Sequence, residues 1–113
     1  MARTKVSAVT PSVAGAAIAY SAPTAEGDQV RPNTVLLVNN GSGSAITLTL
    51  VTGGTAGEYA VADPTVTVPA GAERAVGPFS AIFPQPSGAD AGWVYVDYSS
   101  VTSVTRAAIA ANI

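Results

Sequence analysis

A chain of 113 residues is long enough for one domain with one modest core. Only 11% of it is charged, against roughly 25% in a typical soluble domain, while 48% is hydrophobic with much of that Ala and Val; this reads as a small-residue β protein with some surface meant for a partner. With neither cysteine nor histidine, disulfides, zinc–thiolate sites, thiol nucleophiles and the commonest general base are excluded, and a net charge of −2 with scattered basic residues gives no patch for nucleic acid.

Residues 1–15, "MARTKVSAVTPSVAG", read as an extended N-terminal arm. Val6, Val9 and Val13 lie among Ser, Thr and Pro, and Pro11 argues against a helix or a central strand. Arg3 and Lys5 form a small basic pair that suits an acidic partner surface or a solvated tail. The opening is too interrupted for a secretory signal, and the longest apolar run is far short of the ~20 residues of a membrane helix. The rest of the chain, 16–113, reads as a single β domain. "AAIAY" (16–20) suits a first strand or a short helix, strand being favoured because "SAPTAEGDQVRPN" after it is loop chemistry throughout.

"TVLLVN" (34–39) and "AITLTLV" (45–51) are strands. In the second, Ile46, Leu48 and Leu50 take one face and Thr47 and Thr49 the other, as in an antiparallel sheet wet on one side. The intervening "NNGSGS" suggests a tight hairpin, because Asn-Gly tolerates positive φ. Residues 52–64 are a Gly-rich connection. "VADPTVTVPAGAERAVGPFS" (61–80) then reads as a second hairpin, with Val66 and Val68 inward, Thr65 and Thr67 outward and a turn at Pro69-Ala70-Gly71. Residues 80–92 are loop, with Ile82 and Phe83 plugging the core. In "WVYVDYSS" (93–100) the valines face the core, which sends Trp93 and Tyr95 to the opposite face. "VTSVTRAAIAANI" closes the chain: its first half is β-like and its Ala-rich end suits strand or helix, strand being favoured, with Arg106 a candidate cross-strand partner for Asp97. About seven short strands at this spacing predict an all-β fold: an antiparallel β-sandwich or small β-barrel, jelly-roll or Ig-like.

Chemistry is sparse. The seven carboxylates sit mostly in turns and form no recognisable acid–base pair. Glu26-Gly27-Asp28 lacks the further oxygen ligands of a calcium loop, and the Gly-rich stretches lack the Lys-Ser/Thr ending of a phosphate loop. No catalytic, metal or cofactor-binding residues are assigned. Trp93 and Tyr95 on one face suit a subunit interface, core packing or a shelf for a sugar ring.

The order "VLLVNNGSGSAITLTLV", "VADPTVTVPAGAERAVGPF" and "WVYVDYSSVTSVTRAAI" resembles small structural proteins encoded among the head genes of tailed bacteriophages, over Thr34 to Ala108. "TVTVPAG" followed by "GPF", and "VYVDYSSVTSV", carry it most specifically. The resemblance implies a non-enzymatic capsid decoration protein, located on the virion surface. Its partner would be the major capsid protein, and it would often be a homotrimer, with no nucleic acid or membrane involved. The expected contact residues are Arg3, Lys5, Val6, Val9, Trp93 and Tyr95. A head–tail connector or tail component, and a carbohydrate-binding β-sandwich, are the alternatives.

Overall fold

The computed structural model describes residues 3–110 apart from 54, 57, 58, 61, 81 and 87. Among them are eleven short strands and no helix: β1 (Thr4–Lys5), β2 (Ala8–Val9), β3 (Asp28–Val30), β4 (Thr34–Asn40), β5 (Ile46–Val51), β6 (Thr55–Ala56), β7 (Tyr59–Ala60), β8 (Thr65–Val68), β9 (Glu73–Val76), β10 (Val94–Tyr98) and β11 (Val104–Ala110). Nine of them build two sheets, a five-stranded one in the order β1-β3-β10-β5-β8 and a four-stranded one in the order β2-β11-β4-β9. The sheets are mixed, because β1 runs parallel to β3 and β2 parallel to β11, while the other pairings are antiparallel.

Alternating apolar residues create the core. Ile46, Leu48, Leu50, Val68, Val94, Val96 and Val30 from the larger sheet meet Leu36, Val38, Val76 and Val104 from the smaller, all buried in one cluster. Each such side chain contributes about 1.5–3 kcal/mol by leaving water. Of the two expected plugging residues, Phe83 joins the cluster's edge, edge-on to Phe79 at 5.7 Å, while Ile82 is half-buried outside the cluster. The expected all-β sandwich class is therefore present, with more and shorter strands than the seven anticipated.

Connectivity departs from the expected hairpins. β4 belongs to the four-stranded sheet and β5 to the five-stranded one, so "NNGSGS" arches across the core instead of turning within a sheet. The 61–80 stretch behaves the same way: β8 pairs with β5, and β9 pairs with β4 in the opposite sheet. From β3 onward the chain changes sheet at every step except β5 to β8, which is the winding of a jelly roll. Period-two alternation cannot distinguish the two cases, since strands joined by an arch also bury alternate residues.

Asn40 holds both arches. Fully buried, its side-chain amide donates to the carbonyls of Ser44 at 2.8 Å and Val68 at 3.0 Å, and its Oδ1 accepts from the Ser42 hydroxyl at 2.6 Å. Gly71, at φ +71°, makes the second arch's turn, and its N–H reaches the Asn40 carbonyl at 2.8 Å.

Two further readings need correction. Residues 16–20 form no strand; they are exposed, and only Ser21 after them pairs, through a single bridge to Arg106. Nor is 21–33 loop throughout, because Asp28, Gln29 and Val30 make the buried strand β3.

Candidate functional site

The outer face of the five-stranded sheet gathers most of the polar chemistry. On β10 the core-facing Val94 and Val96 send Trp93, Tyr95 and Asp97 outward. On β3, Asp28 and Val30 point inward, so Gln29 and Arg31 point outward beside them. β1 adds itself to the free edge of β3 with Lys5 opposite Gln29, and its alternation puts Arg3 and Lys5 on that outer face too.

These residues meet. The Arg3 guanidinium lies 4.3 Å from the centre of the Tyr95 ring and pairs with Asp97 at 2.5 Å. Arg31 covers the Trp93 ring at 4.1 Å, and Lys5 Nζ approaches the same ring at 5.3 Å. Lys5 is 3.8 Å from Asp90, whose other carboxylate oxygen accepts from the Tyr95 hydroxyl at 2.6 Å. That hydrogen bond to an acceptor anion raises the Tyr95 pKa above its usual value. Gln29, nearly fully buried, lies in this row between Lys5 and Tyr95, and its Oε1 has no hydrogen-bond partner among the described residues.

Gly27 makes room for the Arg3–Asp97 pair. It sits at φ +103°, and a Cβ there would meet Arg3 Nη1, Asp97 Oδ1 at 2.7 Å and the Val96 carbonyl at 2.9 Å. The cluster thus holds three cations (Arg3, Lys5, Arg31) against two carboxylates (Asp90, Asp97), a local +1 in a chain whose net charge is −2. Arg31 is exposed and has no carboxylate partner among the described residues, so its donors beyond the Trp93 ring face solvent.

Of the six expected contact residues, four come together here: Arg3, Lys5, Trp93 and Tyr95. Val6 instead packs partly buried against the core, and Val9 sits half-buried in β2 opposite Ile109. Arg31 and Gln29 belong to the cluster without having been anticipated. Their signal was the alternation of "DQVR", legible only once that stretch is known to be a strand.

Asp97 does not pair with Arg106, as the sequence suggested. β10 and β11 lie in different sheets, and Arg106 points inward. Its Nε donates to Asp28 Oδ2 at 2.7 Å, the Tyr98 hydroxyl donates to the same oxygen at 2.7 Å, and Arg106 Nη1 also donates to the Ser21 hydroxyl. Asp28 is fully buried and Arg106 is 6% exposed. Burial opposes the charge on Arg106, but the hydrogen bond and charge of Asp28 outweigh it and its pKa is raised. Burial first, then the Asp28 charge, pushes the Tyr98 pKa far up. This network ties the two sheets together and is structural. Among the described residues no group of three or more His, Cys, Asp or Glu is placed to hold a metal.

Comparison of the chain with known protein families, with curated proteins and with solved structures found no match.

Proposed function

We propose that the protein is a structural virion component, a capsid decoration protein that docks on the outside of an assembled phage head through the outer face of its five-stranded sheet. The observation that supports this most is the cluster of Trp93, Tyr95, Arg3 and Arg31 on one sheet face. Trp, Tyr and Arg are the residues most enriched at binding hot spots, and ring-stacked guanidinium groups are already ordered before a partner arrives. The virion setting comes from the resemblance of 34–108 to small phage head proteins. A ligand that binds only the assembled shell stabilises it by mass action.

Co-sedimentation with assembled shells of the phage that encodes the chain tests the reading. Saturable binding at many copies per shell is expected. Binding at a single ring's worth of copies would instead indicate a connector role, and no binding at all would sink both. The sugar-shelf alternative needs a bare ring face, and Arg31 and Arg3 already cover one face of Trp93 and Tyr95.

A further inference from the structure

β11 has two edges. β4 occupies one from Val104 to Ala110. The other is shared: Ser21 bridges Arg106 in the antiparallel sense, with hydrogen bonds in both directions at 3.0 and 2.8 Å, and β2 lies parallel opposite Ala108 and Ile109. Continuing the Ser21 bridge antiparallel keeps the sum of paired numbers at 127 (21 plus 106), so Ala19 would face Ala108 and Ala17 would face Ala110. β2 occupies Ala108 already. Residues 17–20 and residues 8–9 are therefore rival occupants of one edge. Ala19 and Val9 both line a cleft of about 280 Å³ beside Ala107 and Ala108, so the rival segment waits next to the place it would fill.

The winding agrees. In a jelly roll, the position beside the last strand belongs to an antiparallel first strand. Here residues 16–20 lead into Ser21, the one residue paired in that sense, yet they are unpaired and exposed, Ile18 at 46% and Tyr20 at 41%, while the arm holds the edge. The arm itself is anchored by two two-residue strands and by the cation–aromatic contacts of Arg3 and Lys5. The eleven residues 10–20 that tether it include four alanines and reach roughly 36 Å when extended. That matches the molecule's middle dimension of 36 Å and exceeds its shortest of 24 Å, enough to place residues 3–9 on an adjacent molecule.

We propose that residues 3–9 are an exchangeable strand donated between copies of this chain, with residues 17–20 covering the β11 edge while it is vacant. The occupant is a second copy because the acceptor edges on β3 and β11 match this arm residue for residue, and every copy carries them. The exchange does not depend on shell binding and is read in its absence.

The chain has no cysteine, so introduced pairs report cleanly. Val9 and Ile109 are cross-strand neighbours, both half-buried. The full chain carrying both Val9→Cys and Ile109→Cys should oxidise to a disulfide across β2 and β11. When chains carrying only Val9→Cys are mixed with chains carrying only Ile109→Cys, exchange predicts a covalent heterodimer whose peptide map joins position 9 of one chain to position 109 of the other. The initial rate of its formation should rise several-fold with Arg3→Ala in the first chain, which speeds release of the donor arm. A double variant that closes within one chain while the mixture gives no heterodimer would show that the arm stays at home and overturn the proposal. Failure of the double variant to close at all would overturn the pairing on which it rests.

Discussion

Two carboxylate–guanidinium pairs join distant parts of this chain at nearly the same separation, Asp28–Arg106 at 2.7 Å and Asp97–Arg3 at 2.5 Å. The first lies between the sheets, its side chains 0% and 7% exposed; the second lies on the outer face, at 42% and 22%. In water the second pair is screened and worth ~0–1 kcal/mol. In the interior the partners depend on each other, because either one left alone is an uncompensated buried charge. The same chemistry is thus structural in one place and a releasable latch in the other, and burial decides which.

The sharpest way to break that contrast is Asp28→Ala. Stability to chemical denaturation should fall by about 3–5 kcal/mol, and pairing Asp28→Leu with Arg106→Met should cost much less than either half alone. A loss under about 1 kcal/mol from the single change would erase the distinction. Next in size is Asn40→Ala, which leaves the Ser44 and Val68 carbonyls without their donor. Unfolding in urea should show about 2–3 kcal/mol lost, and an unchanged midpoint would mean that Asn40 does not staple the arches.

Tyr98→Phe removes the hydroxyl donor to Asp28 and should cost about 1–2 kcal/mol at neutral pH. It also tests the buried network by pH. The folded-state pKa of Tyr98 lies above the ordinary tyrosine value near 10, so the stability it confers is fully present below about pH 10 and is lost as pH rises through the folded value. Wild type should lose stability progressively above pH 10, and Tyr98→Phe should flatten much of that loss; parallel profiles would contradict the assignment. The smallest effect belongs to the surface pair. Arg3→Ala should cost less than ~1 kcal/mol of global stability, yet raise amide hydrogen exchange at Val6, whose N–H bonds the Gln29 carbonyl at 2.9 Å.

The same contrast explains what could be read from the sequence. β5, β8 and β10 were legible because each alternates Val, Leu or Ile with Thr, Tyr or Asp, and β4 because Val35 to Val38 is an apolar run bounded by Thr and Asn. Trp93 and Tyr95 on the outer face followed from the valines between them. Which sheet each strand joins was not legible, because an arch and a hairpin bury the same alternate residues. β3 was missed because "GDQVRPN" has Gly, Asp, Pro and Asn at turn frequency, and nothing local shows that Asp28 meets Arg106, 78 residues on. Residues 16–20 read as a strand on composition, and the edge they fit is taken by the arm.

The proposed docking surface is the sheet face built on Trp93 and Arg31. The most direct test is the affinity for assembled shells of wild type, of Arg31→Ala/Trp93→Ala, and of Arg74→Ala on the edge strand β9 of the other sheet, all checked for equal stability. The account predicts a loss of about thirtyfold or more for the face variant, the ~2 kcal/mol of a hot spot, and wild-type binding for Arg74→Ala. A face variant that binds shells as tightly as wild type would contradict it.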